Sequence, residues 1–137
     1  MSVKNGLFFL LFGLLPGIGY QAIQERWRLA FADASESIVY LLGVAPNALG
    51  AVSMAAGLFV IGHHFLPKAT YAQLASYSVL TSLFGLMLWE LVQLWLPNGT
   101  FDVHDLIWTA VGALFAWIMT RLWYFREWET AVSPTTT

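Results

Sequence analysis

The sequence contains no cysteine, which excludes disulfides, thiolate nucleophiles and cysteine-ligated metals. Charge is almost as scarce: only 10% of the 137 residues are Asp, Glu, Lys or Arg, against about 25% in soluble domains. Six Lys and Arg with a net charge of −2 leave no basic footprint for nucleic acid. Also missing are a nucleophile with its base and orienting partner, a phosphate-binding glycine loop and a dinucleotide fingerprint. At this length a single domain is expected, too small to hold an aqueous catalytic domain beside a membrane part.

What the chain does have is apolar surface, with 58% of its residues hydrophobic and 16% aromatic. It reads as an all-α integral membrane protein, a polytopic bundle of four helices near residues 7–23, 47–65, 71–96 and 106–125. The first run, Leu7 to Ile23, follows Lys4 and resembles a secretory signal, but is taken as a retained spanning helix kinked at Pro16. Gly13, Gly17 and Gly19 would let a neighbour approach it closely.

Residues 24–46 mix Glu25, Arg26, Arg28, Asp33 and Glu36 with Trp27, Phe31 and Tyr40, which suits a connector lying in the membrane interface. The alternative is one long helix from Ser37 to Gly62, bent at Pro46. Ala48, Gly50, Ala51, Ser53, Ala55, Ala56 and Gly57 make the second span small-residue-rich and therefore central in the bundle.

Polar groups inside the last two spans carry the most information. An ionisable side chain held below the headgroups costs a few kcal/mol unless it finds a partner or water. Glu90 has six residues between it and Pro97, which places it roughly 9 Å inside the helix end and facing protein. Asp105, Thr109, Gly112 and Ala116 recur at helical period, as do Ser78, Ser82, Gly85 and Gln93 in the preceding run. Two such stripes on helices joined by a short turn are expected to press together as a packing seam or to line a lipid pocket.

Around these residues the chain resembles the VanZ-like family of small bacterial membrane proteins. Glu90, Gln93, Pro97, Phe101, Asp102, Asp105 and Gly112 match the family's pattern. Gly99 stands where the pattern has Arg, Thr109 where it has Asn and Ala116 where it has Gly. The resemblance is strong over about a fifth of the chain. It implies a cell-envelope role in tolerance of glycopeptide antibiotics, with Glu90, Gln93 and Asp105 around a lipid or lipid-linked headgroup.

His104 between Asp102 and Asp105 could hold a divalent cation or relay a proton, but three ligands on one turn without a fourth read as a solvated acidic loop. His63 and His64 point about 100° apart on a helix beside Pro67 and Lys68, as interface residues do. Their place on the face opposite His104 excludes a haem bridging the two groups. No metal and no cofactor is therefore expected.

Four crossings put both termini on one side. That side carries Lys4, Lys68, Arg121 and Arg126 against Arg26 and Arg28 on the other, which places the termini in the cytoplasm of a bacterium, across its inner membrane.

The leading functional expectation is a non-catalytic subunit or scaffold packing into a larger membrane complex of respiratory or photosynthetic type, with lipid and other membrane subunits as partners. The VanZ-like envelope role is the alternative. An enzyme or proton relay using Glu90 and Asp105 as acid and base fits poorly, since no nucleophile or metal site accompanies them.

Overall fold

The apolar runs form four helices, α1 (Val3–Ala30), α2 (Glu36–Phe65), α3 (Tyr71–Gln93) and α4 (Val103–Trp123), each long and apolar enough to cross a membrane. They are seen in a computed structural model that describes residues 2–96, 101–125 and 127; no strand occurs among these described residues. Pro97, Gly99, Arg126, Trp128 and the polar tail from Ser133 lie outside them.

Helix starts follow local capping chemistry. Ser2 Oγ accepts the Asn5 N–H, and Thr70 and Gln73 form a reciprocal capping box at the head of α3. Asp102 caps α4.

The connector expected over 24–46 is mostly helical. α1 continues to Ala30, a turn occupies 31–35 and α2 begins at Glu36, so the long bent helix is closer to what the chain does. A helix of 28 residues is about 42 Å long at 1.5 Å per residue and overshoots a hydrocarbon core of roughly 30 Å. Its charged end leaves the apolar layer without ceasing to be helix.

Pro16 and Pro46 are both accommodated inside helices. Pro16 follows a wide turn at Phe9–Leu14, which absorbs the missing donor to the preceding turn. Pro46 in α2 cannot donate to the Leu42 carbonyl four residues back. Arg28 replaces that donor from α1: its Nε donates to Leu42 O at 3.0 Å and its Nη2 to Gly43 O at 2.5 Å. A neighbouring helix thus satisfies the backbone group that proline frees, as membrane helices require.

As the small-residue composition suggested, α2 is central and packs against α1, α3 and α4. The two polar stripes do not chiefly face each other, however; both lean on α2. The α4 stripe of Thr109, Gly112, Ala113, Ala116 and Thr120 is buried. At Gly112 a Cβ atom would lie 2.3 Å from Ala48 O, so the α2–α4 crossing requires glycine there. On α3, Ser78 and Ser82 are buried, and Ser82 Oγ donates to Ala51 O at 3.0 Å; Gly85 is exposed instead. On the opposite side of α2, Ser53 Oγ donates to Gly13 O at 2.7 Å and sits 2.9 Å from where a Gly17 Cβ would be. The physical cause is α2's run of small side chains, which admits all three neighbours at close range.

An aromatic cluster closes the end of the bundle where the chain begins. Phe8, Phe59, Tyr71 and Tyr124 pack with neighbouring ring centroids 4.9–6.1 Å apart. The Tyr124 hydroxyl donates to Asn5 Oδ1 at 2.9 Å, and Lys4 lies 5.0 Å above its ring while pairing with Glu127. The start of α1 and the end of α4 are thereby held together. Tyr124→Phe leaves the buried Asn5 amide without this donor, and a loss of about 1–3 kcal/mol is expected in detergent unfolding, with Tyr124→His no better. A variant as stable as wild type would mean the contact contributes nothing.

Candidate functional site

At the other end of the bundle, all four helices contribute to one polar cleft of about 240 Å³. Tyr20, Gln24 and Arg28 come from α1 and Asn47 and Gly50 from α2 beside Pro46. Leu86, Trp89, Glu90 and Gln93 come from α3, and Asp105 from the first turn of α4. The elements converge here because the bundle is antiparallel: the late turns of α1 and α3 meet the early turns of α2 and α4.

Glu90 is the buried anchor. It is 5% exposed, and its Oε2 has no hydrogen-bond partner among the described residues. α3 ends at Gln93, short of the expected 96, so Glu90 lies about 4.5 Å from the helix end at 1.5 Å per residue instead of 9 Å. It is shielded laterally by protein more than by depth. The Gln93 amide lies against the Glu90 carboxyl, Asn47 lies against that of Asp105, and the two carboxyls are near enough to repel. Arg28 is the cation on Asp105's side, while two of its N–H groups are committed to α2 carbonyls.

The cleft therefore gathers Glu90, Gln93 and Asp105 as expected, but not the rest of the proposed site. Thr109 and Gly112 lie deeper, in the seam with α2. Sequence reading missed Tyr20, Gln24, Arg28 and Asn47. Pro46 was the available signal for Arg28, since a proline inside an apolar helix leaves a carbonyl in need of a donor.

Asp102 and His104 do different work. Asp102 Oδ1 accepts the His104 backbone N–H at 2.8 Å and faces the ring Nδ1 at 3.0 Å, an N-cap closed on itself. Among the described residues no group of three His, Asp or Glu is placed to hold a metal ion. His104 stacks edge-on with Tyr40 at 5.7 Å, whereas His63 packs on Tyr71 at the far end of α2. Residues 40 and 63 of one helix are about 35 Å apart, too far for one haem. The larger recess beside His63 and His64, about 490 Å³, is lined otherwise by Ser2, Asn5, Val60, Ile61 and Phe65, with no carboxylate among the described residues.

The His104 backbone N–H, then its ring, hold the Asp102 carboxyl below the usual aspartate range. A depressed folded-state pKa contributes stability above the unfolded value and loses it as pH falls through the folded one. The gap in thermal midpoint between wild type and Asp102→Ala, present at pH 7, should close on acidification below about pH 4. A gap constant to pH 2 would contradict the capping role.

No family model, curated protein or solved structure matches this chain.

Proposed function

We propose that this is a non-catalytic integral membrane binding protein whose cleft receives the polar head of a membrane lipid or lipid-linked molecule. One observation carries the reading: a buried carboxylate with an oxygen unpartnered among the described residues lines a polar cleft inside an otherwise apolar bundle. Burying such a group without a partner is costly, so its retention points to a ligand that completes it. The cleft is smaller than the roughly 300–1,000 Å³ of drug-sized sites, which suits a headgroup while acyl chains stay in the bilayer. The VanZ-like resemblance supports the same reading, with Glu90, Gln93 and Asp105 around a lipid-linked headgroup in an envelope protein. In that setting the bacterial inner membrane holds the chain with both termini cytoplasmic and the cleft near the outer face.

Glu90→Gln is expected to lower the lipid retained through detergent purification about tenfold, the range for losing a charged hydrogen bond, without lowering yield. Unchanged lipid content would remove the reading.

A subunit role in a larger membrane complex is the second reading, and it needs an apolar face that a neighbouring helix could cover in place of lipid. Tyr77, Leu80, Phe84 and Leu88 form a continuous exposed apolar strip on α3. Gentle extraction and native electrophoresis test it: migration within a large stoichiometric complex supports it, and a free monomer or dimer removes it.

A further inference from the structure

We infer that the cleft selects a ligand by an ammonium group, seated between Glu90 and the amide oxygens around it. The inference rests on the headgroup reading above and adds the chemistry that the site recognises.

The charge inventory of the cleft is unbalanced. Two carboxyls, Glu90 and Asp105, face one guanidinium, Arg28. Arg28 stands on Asp105's side and spends two of its donors on the Leu42 and Gly43 carbonyls. Glu90, itself only 5% exposed, is left with an oxygen that nothing in the described protein satisfies. An ionised carboxylate in such a place demands a counter-charge, and among the described residues no Lys or second Arg lines the cleft.

The remaining walls suit a cation. Gln24, Asn47 and Gln93 each offer an amide oxygen that can accept from an ammonium N–H. Tyr20 and Trp89 are of the side-chain types whose π faces attract cations. An anionic group would meet the two carboxyls instead. The same chemistry is available from two sources, the headgroup of an aminophospholipid or a free amine, and both can be tested on the intact protein.

Full-length protein, delipidated in non-ionic detergent, is titrated by native mass spectrometry with phosphatidylethanolamine and phosphatidylglycerol of identical acyl chains, and with ethanolamine as competitor. Phosphatidylethanolamine should bind about tenfold or more tighter than phosphatidylglycerol, and Glu90→Gln should erase that preference. Displacement of the lipid by millimolar ethanolamine would assign the recognition to a free amine and still support the ammonium. Equal, Glu90-dependent binding of both lipids would overturn the ammonium inference and leave the headgroup reading standing. Binding indifferent to Glu90→Gln and Asp105→Asn would overturn both. Should either variant fail to fold, the wild-type ratio of the two lipids decides alone, a ratio near one overturning the inference.

Discussion

Gly112→Ala should cost about 3 kcal/mol, the upper end of what overpacking a closed site does. The new methyl group would meet backbone, Ala48 O at 2.3 Å and Ala48 Cα at 2.8 Å, and backbone of a central helix cannot rotate aside as a side chain can. Relief requires α2 and α4 to separate along the whole Thr109–Ala116 seam. Gly43→Ala is the matched control, because a Cβ there meets nothing within 4 Å. It should be neutral or stabilising by about 0.5 kcal/mol. Unfolding of both variants in mixed detergent micelles checks the pair; equal midpoints for the two would mean the crossing is looser than described.

Arg28→Ala should destabilise by about 2 kcal/mol, since it removes two charge-assisted donors from α2 carbonyls. The informative measurement is its coupling to Pro46. Pro46→Ala restores the backbone N–H that reaches Leu42 O within the helix, so the double variant should be more stable than Arg28→Ala alone. A coupling of about 1 kcal/mol in the double-mutant cycle is expected. Additive effects would show that the guanidinium and the proline act independently. Because Arg28 also lines the cleft, the single variant should also change lipid retention.

Composition and hydropathy made the four-helix membrane bundle legible, and the Ala- and Gly-rich run of α2 announced the central helix. Polarity misled at the ends. Glu25, Arg26, Arg28 and Glu36 read as a break in structure, yet charge signals where a helix leaves the apolar layer, not where its hydrogen bonding stops. The period of the α4 stripe identified its buried face correctly but not the partner, since a small-residue face fits any helix that comes close. Glu90, Gln93 and Asp105 were legible as a group because buried carboxyls in apolar runs are expensive. Tyr20, Gln24, Arg28 and Asn47 were not: they lie 43 to 85 positions earlier in the chain, and only the antiparallel folding of α1 and α2 brings them there. The aromatic cluster around Tyr124 was hidden for the same reason, its members coming from all four helices.

The absence of cysteine permits a direct test of whether Glu90 lies in a polar cleft screened from lipid. Single Glu90→Cys and Leu88→Cys variants sit two residues apart on α3, the first position buried against the cleft and the second 61% exposed on the outer face. Only thiolate reacts with a small cationic thiol reagent, and thiolate forms in polar surroundings, not in hydrocarbon. In intact membranes the position-90 variant should be labelled about tenfold faster than the position-88 variant. Equal labelling, or a position-90 thiol that stays inert while position 88 reacts, would contradict the cleft.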